Sequence, residues 1–142
     1  MKYLAIDYGD KRTGLATCDP NETITSPLTI LSTREELPNK IAEIIETENV
    51  DAVVIGLPFN MDGSEGFQAK RVRQFAEQLQ KQLNITIHFQ DERLSTFEAQ
   101  GKLEQTDLSK KTKSRRLDAV AAAQILQDFL ETKNKTDAPA DD

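Results

Sequence analysis

Acidic residues stand at the ends of three separate segments that are expected to form regular structure. Asp7 closes a short apolar strand, and Asp91 and Glu92 follow a strand of alternating polarity. Asp118 borders the apolar stripe of a helix, where a carboxylate is costly to bury unless it is paired or bound to a metal. Ligand sites in α/β proteins form where the carboxyl ends of strands meet, and Mg²⁺ and Mn²⁺ prefer oxygen ligands. The pattern therefore indicates a candidate metal site built from these acids.

Each of these acids also has a purely structural interpretation. Asp7 could form an Asx turn in the loop that follows it. Asp91 and Glu92 could stabilise the N-terminus of the next helix, and Asp118 could begin the last helix or pair with Arg115. Residue types and spacing by themselves leave both interpretations open.

Basic residues cluster at 11–12, 70–73 and 110–116, and the last cluster abuts Asp118. The chain as a whole is acidic, with 18 Lys and Arg against 24 Asp and Glu and a formal net charge of −6. Binding to nucleic acid would therefore depend on a local basic patch. Charge runs are usually solvated surfaces, but a basic run beside a group of acids could hold a phosphate backbone.

The segment from Gly56 to Ser64 joins a predicted buried strand to a predicted helix. Gly56 would allow a backbone to approach closely, and the N-terminus of the following helix would attract phosphate. Taken alone, the segment is better explained as a rigid surface turn with a helix cap at Asp62 or Ser64.

The single cysteine and the single histidine limit the chemistry that is open to the chain. Cys18 excludes an internal disulfide and a cysteine-cage zinc site, and it is expected to be a small core residue. His88 excludes a histidine metal cluster and is expected on the solvent side of its strand.

The elements that would position these residues follow an α/β pattern. With 142 residues, of which 37% are apolar and 30% charged, the chain is expected to form one domain. The predicted order is β-β-β-α-β-α-β-α-α, which gives a mixed sheet flanked by helices. Strands are predicted at 3–7, 14–18, 25–31, 51–56 and 85–90, and helices at 37–45, 72–83, from 95, and at 117–130.

Local signals refine these predictions. Ser32 and Thr33 have capping-box spacing to the acids that follow them, Pro38 must lie in the first turn of the first helix, and Pro27 suits an edge strand. The domain is predicted to cover residues 1–130, with residues 104–113 mobile and 131–142 a disordered acidic tail. Neither a membrane-spanning run nor a signal peptide is found, so a cytoplasmic location is expected.

Four strings of this sequence together resemble the YqgF/RuvX family of Holliday junction resolvase-like nucleases. The resemblance extends from residue 1 to about residue 130, in the family's order and spacing. The strings are 7–16 (DYGDKRTGLA), 54–64 (VIGLPFNMDGS), 91–96 (DERLST) and 118–127 (DAVAAAQILQ).

This resemblance implies a ribonuclease H-like fold and a metal-dependent phosphodiesterase that uses Mg²⁺ or Mn²⁺. The activity it implies is maturation of the 5′ end of pre-16S ribosomal RNA, with cleavage of four-way DNA junctions as the alternative. Carried over, Asp7, Glu92 and Asp118 are the catalytic metal ligands, and Asp91 stays open as the second acid. The implied partners are precursor ribosomal RNA or branched DNA and ribosomal particles, with the protein a monomer or a homodimer.

The hypothesis for the reaction is two-metal hydrolysis, with ions about 4 Å apart bridged by Asp7 and shared by Glu92 and Asp118. Such ions would activate the attacking water and stabilise the leaving oxygen. Arg93 would orient Glu92 or the substrate. The residues expected to contact nucleic acid are Lys11, Arg12, Asn60, Arg93, Lys111, Lys113, Arg115 and Arg116.

Two other classes of function are open. One is a non-catalytic module that binds nucleic acid or the ribosome. The other is a phosphotransferase, because Asp7-x-Gly9 followed by Gly14 also resembles the phosphate loop of actin-like ATPases, although those proteins need two such lobes. No strand is rich in aromatic residues, which argues against sequence-specific reading of single strands.

Overall fold

The computed structural model describes residues 1–92 and 110–137, with side chains described for residues 1–92 and 119–134. These residues form five strands and three helices in the order β-β-β-α-β-α-β-α, as predicted. The short helix predicted from Ser95 lies outside the described residues. The strands are β1 (Tyr3–Asp7), β2 (Arg12–Cys18), β3 (Thr25–Ser32), β4 (Ala52–Leu57) and β5 (Thr86–Asp91), and the helices are α1 (Leu37–Thr47), α2 (Phe67–Leu83) and α3 (Lys110–Asp137).

The strands form one mixed sheet in the order β3-β2-β1-β4-β5. β2 pairs antiparallel with both β1 and β3, whereas β4 pairs parallel with both β1 and β5. The mixed five-stranded sheet predicted from the sequence is therefore confirmed. Because β1, β4 and β5 run in the same direction, their carboxyl ends lie at the same edge of the sheet.

β3 is an edge strand that accommodates a proline. Pro27 pairs with Ala16, and the register shifts between Leu15 and Ala16. An edge strand tolerates proline because the missing N–H need not belong to the ladder. The prediction made from Pro27 is confirmed.

The start of α1 differs from the predicted capping box. Glu36 is the N-cap residue, with φ of 51° and no side-chain cap, and Pro38 lies in the first turn as predicted. The Thr33 hydroxyl donates instead to the Gly9 carbonyl oxygen at 2.8 Å and lies 2.8 Å from the hydroxyl of buried Thr13. The Thr33 hydroxyl, which the sequence pattern assigned to the cap of α1, thus bonds to the hairpin turn between β1 and β2.

α3 is longer at both ends than the predicted helix over 117–130. Residues 110–113 are helical rather than a mobile loop, and residues 131–137 are helical rather than part of a disordered tail. Residues 138–142 lie outside the described residues. Beyond the apolar stripe, Lys133 Nζ pairs with Glu22 Oε1 at 3.0 Å, and periodicity of apolar residues does not reveal such a polar contact. No helix in the described ranges, α3 included, is long and apolar enough to cross a membrane.

The two faces of the sheet carry different cores. α1 and α2 cover one face, where the strands contribute large aliphatic side chains such as Leu4 and Ile55. α3 covers the other face, where the strands contribute small side chains such as Ala5 and Ala52. Cys18 is buried in this second core, as predicted.

Candidate active site

Asp7 ends β1 on the sheet face that α3 covers. Ala5 shares this face with Asp7 because side chains alternate along a strand, and Ala5 is buried in the core beneath α3. Ile6 pairs with Ile55 of β4, so Asp7 and Gly56 are the next residues in these two parallel strands. The half-buried Asp7 therefore stands at the carboxyl edge of the sheet, beside Gly56.

The carboxyl group of Glu92 lies over Gly56. A Cβ atom on residue 56 would lie 2.8 Å from Glu92 Oε1 and 2.6 Å from Ile125 Cδ1 of α3, so only glycine leaves this space open. The Glu92 backbone N–H donates to the Leu57 carbonyl oxygen at 3.2 Å, which fixes the chain where it leaves β5. Since β1 and β5 lie on opposite sides of β4, Asp7 and Glu92 flank Gly56 on the same face.

Asp91 falls on the opposite face of the sheet from Glu92. Ile87, which alternates in step with Asp91, packs against the core beneath α1 and α2. His88, which alternates in step with Glu92, has its ring centroid 5.1 Å from that of Phe129 in α3. Of the two adjacent acids that the sequence left as alternatives, only Glu92 lies on the face of the β1 acid.

The same contact corrects the expectation for His88. Its ring lies beneath α3 in contact with Phe129 and with the ring of Tyr3, whose centroid is 6.2 Å away. His88 is therefore half-buried rather than a solvent-side residue. Alternation within an edge strand did not reveal that a distant helix covers this face.

The backbone of Asp118 lies in α3 toward the end that faces the carboxyl edge. α3 runs antiparallel to β1, because the Phe129 ring packs edge-on against Tyr3 at the start of β1, with centroids 5.2 Å apart, whereas Ile125 reaches Gly56. Asp118 precedes Ile125 by seven residues, so it lies two turns further along the same helix face. The side chain of Asp118 is outside the described residues.

The donor types of the described acids fit a divalent cation such as Mg²⁺ or Mn²⁺. Asp7 and Glu92 offer carboxylate oxygens, the ligands that these hard ions prefer. Among the described side chains no three His, Cys, Asp or Glu residues are grouped so that they could hold an ion. The described part thus supplies two carboxylates on one face, and a carboxylate from α3 would be the third.

Lys11 lies in the turn that follows Asp7, and Arg12 is the first residue of β2. Gly9 is required in this turn because a Cβ atom there would collide with the Arg12 carbonyl oxygen. Thr33 holds the turn from outside, since its N–H donates to the Lys11 carbonyl oxygen at 3.0 Å and its hydroxyl to that of Gly9 at 2.8 Å. Lys11 is exposed and Arg12 half-buried, so the turn presents positive charge beside the acidic edge.

Asn60, which the sequence predicted to contact nucleic acid, organises its own loop in this structure. Asn60 Nδ2 donates to Ser64 Oγ at 3.0 Å, and the Asn60 N–H donates to the Ser64 carbonyl oxygen at 2.8 Å. Ser64 Oγ donates in turn to Asp62 Oδ1 at 2.6 Å. The N-cap residue of α2 is Gly66 and makes no side-chain cap. The rigid turn is therefore confirmed, whereas the helix cap expected at Asp62 or Ser64 is wrong.

An ion pair joins the end of this loop to α2. Arg73 Nη2 donates to Glu65 Oε2 at 2.8 Å. The bond holds the pKa of the Glu65 carboxyl below its usual range and raises the pKa of the Arg73 guanidinium. The Arg73 guanidinium also lies 5.1 Å from the ring centroid of Phe89 in β5. These contacts connect the loop, α2 and β5 on the face of the sheet opposite α3.

The remaining predicted nucleic-acid contacts fall where no side chain is described. Arg93 lies outside the described residues altogether. The structure places the other four in the first turns of α3 by their backbone alone; they are Lys111, Lys113, Arg115 and Arg116.

Sequence reasoning missed Phe67 at the edge of the candidate site, and it gave Arg71 only as part of the basic cluster at 70–73. Phe67 begins α2 and is 77% exposed, and Arg71 one turn later lies with Cζ 5.7 Å from the Phe67 ring centroid. The spacing of four between an aromatic residue and an arginine on a predicted helix could have indicated this pair.

Solved structures share the fold of this chain. Thermus thermophilus RuvC in complex with a Holliday junction substrate matches with a TM-score of 0.60 and 13% identity, covering 96% of this chain and 98% of that one. The fowlpox virus Holliday junction resolvase matches with a TM-score of 0.53 and 14% identity, covering 93% and 99%. The sheet order, the flanking helices and these likenesses define a domain of the ribonuclease H-like fold, as expected.

Sequence comparison identifies the family. A family model described as "RuvX: Holliday junction resolvase" matches residues 1–132. A relative from Maridesulfovibrio salexigens is 39% identical over 132 residues, covering 92% of this chain and 98% of its own. Another from Anaeromyxobacter sp. is 41% identical over 136 residues, covering 94% and 99%, and both are named "Putative pre-16S rRNA nuclease". The chain belongs to the RuvX family.

Proposed function

We propose that this protein is a nuclease that hydrolyses phosphodiester bonds with the help of two divalent cations, Mg²⁺ or Mn²⁺. Asp7, Glu92 and Asp118 would hold these ions. The observation that carries the proposal is the arrangement of Asp7 and Glu92 on either side of Gly56, on one face and at one edge of the sheet. Acids that only stabilise a turn or a helix N-terminus would not need to lie on the same face of the sheet. Metal binding requires this arrangement, because the carboxylates must reach the same ion.

Bound ions would activate water and stabilise the leaving oxygen, and the protein's own residues do the rest. Asp7 and Glu92 supply oxygen ligands, and Gly56 keeps the space beneath the Glu92 carboxyl group free of a side chain. Lys11, in the anchored turn after Asp7, and Arg12, at the start of β2, would hold the phosphates that flank the scissile bond. His88 takes no part, because its ring packs beneath α3.

The substrate we propose is the precursor of 16S ribosomal RNA, and the location the cytoplasm. The names of the relatives from Maridesulfovibrio salexigens and Anaeromyxobacter sp. support this substrate. A four-way DNA junction is the second candidate. The description of the family and the fold shared with RuvC favour it.

A side-by-side cleavage assay tests the proposal. A precursor 16S RNA fragment with its 5′ extension and a four-way DNA junction are incubated with the protein in Mg²⁺, in Mn²⁺ and in EDTA. We expect metal-dependent cleavage of the RNA and much slower cleavage of the junction. The reverse preference would move the assignment to the second candidate, and binding without any cleavage would identify a non-catalytic module.

Three variants complete the assay. Asp7→Asn and Asp118→Asn should each lower the cleavage rate by about 1000-fold or more, since each removes a ligand charge that supports several kcal/mol of catalysis. Asp51→Asn is the matched control, because Asp51 accepts the Lys2 N–H at the opposite end of the sheet. Circular dichroism checks that all three variants fold. An unchanged rate in either ligand variant would reject the assignment of that residue.

A further inference from the structure

The first turn of α2 presents an aromatic side chain to solvent and covers it with a cation. Phe67 is 77% exposed, and Arg71 lies over it with Cζ 5.7 Å from the ring centroid. Arg71 is also held by Asp10, since its Nη2 lies 2.8 Å from Asp10 Oδ1. The pair is therefore partly ordered before anything binds to it.

Contacts from three residues of α2 hold this helix, and with it the pair, against the turn that follows Asp7. Arg71 reaches Asp10, and Gln68 Nε2 donates to the Tyr8 carbonyl oxygen at 3.4 Å. The Tyr8 ring stacks on Phe75 of α2 with centroids 4.6 Å apart, which holds the turn against the helix. Phe67 and Arg71 thus lie at the same edge of the sheet as the candidate metal ligands, and Arg71 contacts the turn that carries Lys11.

We propose that Phe67 and Arg71 form a stacking platform for an unpaired nucleobase of the substrate. This inference rests on the proposed nuclease function and adds the form of nucleic acid that the site accepts. Unpaired bases stack on aromatic rings and on arginine planes, and every base has such a face, so the platform needs no sequence preference. Bases within a duplex are stacked on each other and cannot occupy it.

The charges around the platform favour nucleic acid over an apolar protein partner. Lys70 precedes Arg71 in α2 and Lys11 follows Asp10, the partner of Arg71, and both lysines are exposed on a chain whose formal net charge is −6. Local positive charge on an acidic protein suits a polyanion whose phosphates run past the stacked base. Asp10 offsets part of this charge but positions the Arg71 guanidinium.

The absence of tryptophan from the sequence makes a direct test possible. Phe67→Trp is combined with Asp7→Asn, so that the RNA stays intact and the one tryptophan reports stacking. A short single-stranded RNA and the blunt duplex of the same RNA are then titrated in turn, with binding followed independently by anisotropy of a labelled RNA. We expect saturable quenching of tryptophan emission by the single strand and none by the duplex.

Phe89→Trp in the same Asp7→Asn background is the matched control. Phe89 is also an exposed aromatic residue beneath an arginine, since Arg73 lies 5.1 Å from its ring centroid, but it belongs to β5. Its emission should stay unchanged on addition of either RNA. Equal quenching at both positions, or none at Phe67→Trp while anisotropy shows the single strand bound, would overturn the platform.

Cleavage kinetics separate this inference from the proposed function. Phe67→Ala should weaken the affinity for a single-stranded or frayed substrate by about 5- to 100-fold, and Phe67→Trp should retain it. Quenching without cleavage would reject the nuclease and keep the platform. Metal-dependent cleavage with no effect of Phe67→Ala would keep the nuclease and reject the platform. Failure of any RNA to bind would reject the platform and the ribosomal RNA substrate, and would leave the DNA junction as the candidate substrate.

Discussion

The two faces of the central sheet are built from different side chains. On the face beneath α1 and α2, the strands contribute Leu4, Ile6, Val53 and Ile55, all without exposed surface. On the face beneath α3, the same strands contribute mainly small residues before they reach the acidic edge. These small residues are Ala5, Ala16, Cys18 and Ala52.

This difference separates stability from the proposed function. Large aliphatic side chains bury most apolar area, so the face beneath α1 and α2 supplies more of the hydrophobic stabilisation. Small side chains let α3 approach the sheet, and at the end of this face Gly56 leaves room for the Glu92 carboxyl group. Asp7 and Glu92 thus lie at the end of the face on which the strands carry the smaller side chains.

The largest effect should distinguish the two adjacent acids on opposite faces. Glu92→Gln should lower the cleavage rate by about 1000-fold, because it removes a proposed ligand charge from the α3 face. Asp91→Asn should leave the rate within about threefold, a change of less than 1 kcal/mol in the barrier. Single-turnover cleavage of the RNA fragment in Mg²⁺ measures both. A larger loss of rate in Asp91→Asn than in Glu92→Gln would make Asp91 the second ligand. It would also show that the α3 face does not carry the metal site alone.

Truncations of β4 side chains should show that one core mainly stabilises the fold, whereas the other also supports the candidate active site. Ile55→Ala should lower the free energy of unfolding by about 2–5 kcal/mol, because it opens a cavity beneath α1 and α2. Its cleavage rate per folded molecule should stay close to that of the wild type. Val54→Ala, the neighbouring residue on the α3 face, should lower that rate as well, since it loosens the seat of α3. Urea unfolding and single-turnover cleavage are measured on the same samples. An equal loss of cleavage rate in both variants would show that the two faces do not differ in their role.

A methyl group on the glycine beneath Glu92 should disturb both the site and the packing of α3. Gly56→Ala should cost about 1–3 kcal/mol of stability and lower cleavage by about 10- to 100-fold, because the new Cβ displaces Glu92 or Ile125. Gly66→Ala is the control, because its nearest atom would be Asn60 Oδ1 at 3.3 Å. A Gly56→Ala enzyme with normal activity would show that the position of the Glu92 carboxyl group does not matter.

The smallest effect is expected in the loop after β2, at the end of the sheet away from the acids. The N–H group of Ile24 and the hydroxyl of Thr23 donate to Asp19 and lower its pKa to about 2. Because the pKa is lower in the folded state than in the unfolded state, this stabilisation is present above about pH 4 and is lost as the pH falls through about 2. Asp19→Asn should flatten that part of the urea midpoint–pH curve and leave cleavage at neutral pH unchanged. An unchanged curve would show that the hydrogen bonds contribute nothing to stability.

Much of the fold could be predicted because periodicity reports burial directly. The continuous apolar runs that end at Asp7 and Gly56 are central strands, since only strands covered on both faces lose all alternation. Features that depend on distant partners were not visible locally. Thr33 bonds to the β1–β2 turn rather than capping α1, and α3 continues past its apolar stripe to reach Glu22 through Lys133.

Chain order, residue type and spacing determined the strands, the helices, the family resemblance and the set of candidate acids. They did not decide between Asp91 and Glu92, because neighbouring residues of a strand differ only in which face they occupy. That choice needs the register of β5 on β4 and the position of α3, both of which join residues far apart in sequence. The tertiary structure alone placed Glu92 over Gly56 and Arg71 against the turn after Asp7, because these proximities arise from packing between elements.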